Sequence, residues 1–405
     1  MHPYEIIHSL ERIFPVYQPV FNTEEFRVIG YEVLGCIEHN GETERLSAFF
    51  HDSDVPPEYK WEADQKLHKQ AVEKVLQDPE NEPKLFFNLD VKTLFQLDCL
   101  EDLMENFAEY EKRGLKKDQV VFEFRVGGLG EVEEDLSHMF MYMKASGYQV
   151  AIDDIKIHET NLDRFSRLEP NVMKVDLSDL RSGKDPNTYQ DVLNALALFA
   201  RKIGAILHFK GIEESFQLLQ AWKHGGRFLQ GVYLMDSEPQ FQAPLVSRPL
   251  LERNIQSFIK TRHRKLKEQI EFIQGLEKEL SHQIKEKYLE PDEVIKRIQK
   301  QLRDISFRMY VCDEFGYQIS ANWYKGEEGQ WEYDITAMGK NWSWRTYFLS
   351  LIMQMKYRRI GMLSDKYRDI ITNEFIRTYS YPIDEERYLF IDIDPSYLFE
   401  NDWLM

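Results

Sequence analysis

Five short apolar runs along this chain each carry an acid or an amide within or at the end of a stretch that otherwise looks buried. They are YEVLG (31–35), KLFFNLD (84–90), VVFEF (120–124), VAIDD (150–154) and VMKVD (172–176). β-Branched and aromatic residues dominate them, which is the pattern of a strand covered on both faces. A carboxylate or amide at the end of such a strand is costly unless something binds it. Several strand ends converging on one face supply oxygen ligands suited to a hard divalent cation. The polar set is Glu32, Asn88, Glu123, Asp153, Asp154 and Asp176, with Lys174 beside the last.

From about residue 13 to 235 these runs alternate with helix-like segments. WEADQKLHKQAVEKVLQ (61–77) places Leu67, Ala71, Val72, Val75 and Leu76 at helical spacing. VKTLFQLDCLEDLMENFAEYEKRG ends at Gly114 and EVEEDLSHMFMYMKASG at Gly147, each a helix-stop glycine. Adding IFPVYQPVF near residue 17, AILHFKGIE (205–213) and FLQGVYL (228–234) gives eight strand candidates. Eight strands alternating with helices predict an α/β fold, a TIM-like (β/α)8 barrel.

Near residue 250 the pattern changes. From Leu251 to Ile284 the chain is highly charged, with apolar residues at Ile255, Ile259, Leu266, Ile270, Ile273, Leu280 and Ile284. This predicts one long helix with a narrow apolar stripe, either lying on the barrel or pairing with a second chain. Pro291 starts a new helix. The last hundred residues hold five of the seven tryptophans. There RMYVCDEFGYQISANWY reads as two strands joined at 314–316, and ERYLFIDID as a late strand. The expected organisation is a barrel over 1–249, a connector helix over 250–290 and a smaller α/β domain with a mixed or antiparallel sheet over 291–405.

A net charge of −18 over 405 residues argues against non-specific nucleic-acid binding, which needs a basic face. It does not exclude a small anion in a pocket that holds a metal or local lysines and arginines. Cys36, Cys99 and Cys312 are far apart and in no metal-type spacing, which reads as reduced thiols in a cytoplasmic protein. The amino-terminal residues lack the pattern of a signal peptide, and no apolar stretch reaches membrane-spanning length, so no membrane insertion is expected. Eleven histidines make no metal-type pair, and His208 reads as core rather than catalytic. No glycine-rich phosphate loop, Cys–His pair or nucleophile elbow appears.

Taken in order, the motifs resemble the EAL domain family of cyclic di-GMP phosphodiesterases over about residues 1–245. YEVLG stands for the signature, FNLD carries the family's asparagine, VVFEF its third-strand acid and VAIDD its paired aspartates. VMKVD is similar to its K-I-D strand, and GIE (211–213) and QG (230–231) to its last two motifs. The resemblance implies cyclic di-GMP bound at the carboxyl ends of the barrel strands, beside a centre of Mg2+ or Mn2+ that activates water. Ca2+ would bind there without supporting turnover. It assigns Glu32, Asn88, Glu123 and Asp153 to the first cation, Asp154 to the second, and Lys174 to orienting the water. It assigns ligand contacts to Gln18, Glu32, Leu34, Asp176, Glu213 and Gln230. An all-oxygen set suits hard cations rather than zinc, and adjacent aspartates suit two-metal phosphodiester cleavage.

The sequence also departs from the family pattern. Cys36 stands where an arginine usually holds a ligand phosphate. Val126 replaces a second glutamate, which steadies the loop after the paired aspartates. That loop is DDIKIHETNL (153–162), without the usual glycines. Lys210, in FKGIE, replaces the glutamate assigned as general base or second-metal contact. A positive charge there repels a second dication and removes the base, which makes Lys174 and Asp154 vestigial as catalytic groups. The leading reading is a signalling protein that binds cyclic di-GMP with a divalent cation and hydrolyses it little or not at all. The rival is a working phosphodiesterase releasing pGpG, and a third is a barrel that binds only protein. The carboxyl-terminal segment has a looser resemblance to PAS or Cache sensor domains, or is a docking domain without a ligand. A homodimer is expected, with the downstream partner unknown.

Overall fold

A computed structural model of the chain describes residues 6–39, 41–78, 81–125, 133–159, 161–181, 186–284, 289–326, 328–345 and 347–404. Val126 and part of the loop after the paired aspartates lie outside them. The chain divides into two units, Met1–Phe258 and Ile259–Met405.

Only residues 23–26 separate β1 (Ile13–Asn22) from β2 (Arg27–His39). A parallel crossover needs a dozen residues or more, so these two strands form an antiparallel hairpin over ten residue pairs. β2 is longer than predicted and folds back into β3 (Glu42–Arg45), a charged strand with no apolar alternation to reveal it. The remaining strands follow the predicted runs: β4 (Lys84–Leu89), β5 (Val120–Arg125), β6 (Gln149–Ile155), β7 (Val172–Asp176), β8 (Ile206–Lys210) and β9 (Phe228–Leu229). β2, β4, β5, β6, β7, β8 and β9 pair in parallel in that order, and β1 closes the ring against both β9 and β2. The result is an eight-stranded barrel with one strand reversed.

Period-two alternation divides the barrel residues between two cores. Leu85, Phe87, Phe122, Phe124, Ile152, Met173 and Phe209 face outward, into a shell with helix residues such as Val72, Phe107, Phe140 and Leu196. Val20, Phe86, Val121, Ala151, Val172 and Phe228 form a separate inner cluster. The helix Pro57–Leu76 buries Leu67, Ala71, Val72 and Val75, as its spacing predicts. The segment after β4, read as one helix, is two, Val91–Leu97 and Leu100–Lys112. Asp98 takes φ 50° and ends the first of them.

In the second unit β10 (Ser306–Asp313), β11 (Asn322–Lys325), β12 (Trp331–Asp334), β13 (Met362–Leu363), β16 (Thr378–Pro382) and β17 (Arg387–Ile393) form an antiparallel sheet, beside a small pair, β14 (Tyr367–Arg368) and β15 (Phe375–Ile376). Alternation again sorts the residues. Met309, Val311, Leu389 and Ile391 pack with Leu276, Leu280, Ile295 and Ile298 from helices. Tyr310, Cys312, Tyr388 and Phe390 pack on the other face with Phe348, Ile352 and Met355 of the helix Phe348–Arg358.

The long predicted helix is a single one, Arg248–Gln283. Leu251 joins the core of the first unit, and Leu276 and Leu280 that of the second. Between them Leu266 and Ile270 are exposed, at 38% and 53%. Among the described residues no helix is long and apolar enough to cross a membrane.

Candidate functional site

Two residues along each barrel strand from the inner apolar cluster, the side chains turn polar. Phe86 gives way to Asn88, Val121 to Glu123, Ala151 to Asp153, Val172 to Lys174 and Phe228 to Gln230, while His208 on β8 lies in register between Lys174 and Phe228. β2 contributes Glu32, and the reversed β1 contributes Gln18 opposite it in register. Residues distant in sequence thus share one layer of the barrel interior because a strand's faces alternate.

Lys174 is fully buried at the centre of this layer. Its Nζ donates to Glu123 Oε2 at 2.6 Å and Glu32 Oε2 at 2.9 Å, and lies 3.8 Å from Asp153 Oδ1. Asn88 Nδ2 donates to Glu32 Oε1 at 2.7 Å, and Gln230 Nε2 donates to Glu32 Oε2 at 2.7 Å and to Gln18 Oε1 at 3.0 Å. Burial alone would raise the Glu32 carboxyl, but Lys174 and Lys210 overcome it and hold it at about 2. Asp153 is likewise lowered despite burial, by the same two ammonium groups. Glu123 goes the other way. Burial, with Glu32 and Asp153 nearby, pushes it up to about 8 against the pull of Lys174. One ammonium cannot satisfy three buried carboxylates equally, and Glu123 Oε1 has no hydrogen-bond partner. His208 is buried with neither ring nitrogen hydrogen-bonded, its rings' neighbours being Phe86 and Phe228. Burial, reinforced by Lys174, keeps it neutral.

Successive strand residues normally point to opposite faces, yet Asp153 and Asp154 both reach Lys210. Asp154 has φ 61°, and the β6–β7 register slips between Ile152 and Ile155. A left-handed non-glycine residue costs on the order of 1–2 kcal/mol. The slip turns the second carboxylate toward the first, so Lys210 Nζ sits 2.7 Å from Asp153 Oδ1 and 3.4 Å from Asp154 Oδ1. Lys156 lies 3.3 Å from Asp154 Oδ1 and donates to Asp176. Asp176 Oδ1 also accepts from the Ser178 N–H. Burial would raise the Asp176 carboxyl; Lys156 and Ser178 lower it. Gly211, at φ 69°, leaves no room for a side chain: a Cβ there would lie 2.5 Å from Asp176 Oδ1.

A cleft of about 320 Å3 opens onto the layer, lined by Glu32, Leu34, Arg45, His51, Asn88, Asp90, Glu123 and Arg125 among others. Glu213 lies just past β8, its N–H bonded to Gln217 Oε1. Sequence reasoning missed Arg125, two residues after Glu123 and hence on its face, with Nε 3.6 Å from Asp153 Oδ2. It also missed Lys156 and Arg45. Period two from a recognised acid was the available signal for Arg125; the other two are tertiary neighbours.

The donor set of three carboxylates and one amide oxygen fits a hard divalent cation, and the orphaned Glu123 Oε1 is a ligand atom without a partner. The acids converge here on the Lys174 ammonium. Among the described residues no three acid, histidine or cysteine side chains frame a cation cage as they stand.

Residues 5–237 match the EAL domain model, and residues 245–405 match an EAL-domain associated signalling protein domain. The chain belongs to the EAL domain family. It is 38% identical over 409 residues to the EAL-domain containing protein YkuI of Bacillus subtilis, covering 100% of both chains. The crystal structure of that protein, in complex with c-di-GMP and calcium, superimposes with a TM-score of 0.92 over 100% of each chain. A more distant relative is the probable cyclic di-GMP phosphodiesterase PdeN of Escherichia coli, 23% identical over 55% of this chain and 43% of its own. The EAL barrel and the smaller carboxyl-terminal domain expected from the sequence are thus both present.

Proposed function

We propose that this EAL barrel binds cyclic di-GMP with a divalent cation and hydrolyses it little or not at all. The observation that carries the reading is Lys210. Its ammonium bridges Asp153 and Asp154, at 2.7 and 3.4 Å, where the EAL pattern has a glutamate. Glu32, Asn88, Glu123 and Asp153 would hold the cation, which when bound supplies charge neutralisation for the phosphodiester. Gln230, which donates to both Gln18 and Glu32, is placed with Gln18 to orient the ligand beside it. The calcium and c-di-GMP complex of the Bacillus subtilis relative supports this reading. The rival, an active phosphodiesterase releasing pGpG, is favoured by the retained acids, Asn88 and Lys174.

Calorimetry tests the reading. Wild-type protein with Ca2+ should bind cyclic di-GMP. Asp153→Asn removes one of the carboxylates that would hold the ion and should weaken both Ca2+ and cyclic di-GMP binding by about tenfold or more, the scale of a lost charged contact. Absence of wild-type binding at high micromolar ligand, with and without metal, would remove the receptor reading.

Three further proposals accompany it. The carboxyl-terminal unit is a sensory domain of PAS or Cache type; its antiparallel sheet, covered by helices on both faces, and its match to a signalling domain support this. Isothermal denaturation against a library of small metabolites checks it, and a flat response across the library counts against it. The protein is cytoplasmic, in keeping with three buried, unpaired thiols; cell fractionation checks that. It is also a homodimer. Leu266 and Ile270, exposed on the stripe of the long helix, are a surface a second copy would cover. Light scattering should give twice the chain mass at tens of micromolar, and Leu266→Glu with Ile270→Glu should return it to one. A monomeric wild type ends the dimer proposal.

A further inference from the structure

The EAL signature ordinarily carries an arginine at position 36, and this chain has a cysteine there that is 1% exposed. A buried thiol cannot hold a phosphate. The strand that carries it offers a replacement. β2 outruns its parallel partner: pairing with β4 stops at Val33 and Phe87, and the extension from Cys36 to His39 pairs with β3 instead. In that ladder Cys36 lies directly opposite Arg45. Directly opposed residues of an antiparallel pair project to the same face, with Cβ atoms about 4.5–5.5 Å apart. An arginine side chain is long enough to cover that displacement. Arg45 therefore presents a guanidinium on the face, and near the place, where position 36 would have presented one.

Its surroundings agree. Arg45 lines the same cleft as Glu32 and Leu34, and so does Arg125, the last residue of β5, which also contacts His51. Its present partners are weak. It donates to Ser237 Oγ and lies 3.7 Å from Asp236, a carboxylate that is 67% exposed. Such surface pairs hold a side chain loosely. Arginine has five N–H donors in a fixed fork that matches a phosphodiester, so donors remain for a ligand. A cyclic dinucleotide carries two phosphodiesters, and only one can lie against the cation site.

We infer that Arg45 has taken over, from the neighbouring strand, the phosphate contact that position 36 has lost, with Arg125, at the end of β5, as a second contact in the same cleft. The inference rests on the cyclic di-GMP reading above. It predicts which phosphate is held by protein rather than by the ion: the one on the β2–β3 side of the cleft.

The test is on Arg45, because Arg125 also touches Asp153 and would disturb cation binding. Full-length wild type, Arg45→Ala and Arg45→Lys are titrated with cyclic di-GMP at fixed Ca2+, and separately with Ca2+ alone. Arg45→Ala should lose about 10–100-fold in cyclic di-GMP affinity, as expected for a charge-assisted, forked contact. Its Ca2+ affinity should stay within about twofold. Arg45→Lys keeps the charge but not the fork, so it should lose at least about threefold. It also stands as the measurement if the alanine variant misfolds. Cyclic di-GMP affinity unchanged in both variants, or Ca2+ affinity falling by the same factor, overturns the inference. A wild type that does not bind cyclic di-GMP overturns the functional reading itself, whatever the variants do.

Discussion

Lys174→Ala should destabilise the barrel by about 3–5 kcal/mol, the loss seen when one partner of a buried ion cluster is removed. Domains have only about 5–15 kcal/mol to lose, so the denaturation midpoint should fall steeply. Lys174 is fully buried and touches or approaches Glu32, Glu123 and Asp153. With the ammonium gone these acids remain in an apolar-walled interior, where burial raises the pKa of each. A group whose folded pKa lies above its unfolded value stabilises below the unfolded pKa and loses that contribution as pH rises through the folded one. Glu123 already behaves so, its carboxyl pushed up to about 8 by burial. Glu32, held at about 2, contributes the opposite dependence, and it loses its main cause when Lys174 is replaced. The variant's deficit should therefore grow from pH 5 to pH 8. Millimolar Ca2+ should recover part of it, because a dication can replace the missing charge. Urea midpoints at the two pH values, with and without Ca2+, check this; coincident wild-type and variant midpoints would show that the cluster is not held by Lys174.

The second large effect is on turnover. Wild-type hydrolysis of cyclic di-GMP with Mg2+ or Mn2+ should run at least about 10²–10⁴-fold below that of an EAL protein with glutamate at the position of Lys210, since that is the usual contribution of a general base. The argument is geometric as well as chemical. The two aspartates that a second cation would share are already bridged by an ammonium. Lys210→Glu should raise pGpG release, and success with that single change assigns the defect to Lys210. A flat result divides it with Val126 and the altered loop after Asp154. A wild-type rate of about 1–10³ s⁻¹, ordinary for an enzyme, would reverse the assignment and make the chain a phosphodiesterase.

What the sequence disclosed and what it concealed follow a physical line. The eight barrel strands were legible because burial on both faces forces β-branched and aromatic runs, and the acids inside those runs marked the site layer. The reversed β1 was concealed because hydrophobicity carries no direction; the four-residue link between β1 and β2 was the clue. β3 was concealed because ETER has no apolar face. The break at Asp98 and the left-handed backbone at Asp154 were concealed because aspartate also occurs in ordinary conformations. In the second unit β10 and β17 were legible from their length, whereas β13, β14 and β15, of two residues each, leave no pattern. The identities of the site acids were readable, but their partners were not. That Lys156 serves Asp176, or that Gln230 donates to Glu32, depends on how strands far apart in sequence close together.

The barrel's closing edge sets the order in which the site can be completed during synthesis. β1 meets β2 over ten residue pairs but meets β9 over only two, Phe21 with Leu229 and Asn22 with Phe228. Thr23 and Gly226, bonded across that edge, are 203 residues apart. At about 5–20 residues per second, a ribosome needs roughly 10–40 s to cover that distance. Throughout that interval β1 has no β9 to close against. The acids emerge in the order Glu32, Glu123, Asp153, and the ammonium that neutralises them comes after all three. Gln230, the last residue of the layer, follows Leu229 directly. Closing the ring and completing the ligand cradle are thus one event in the life of the chain.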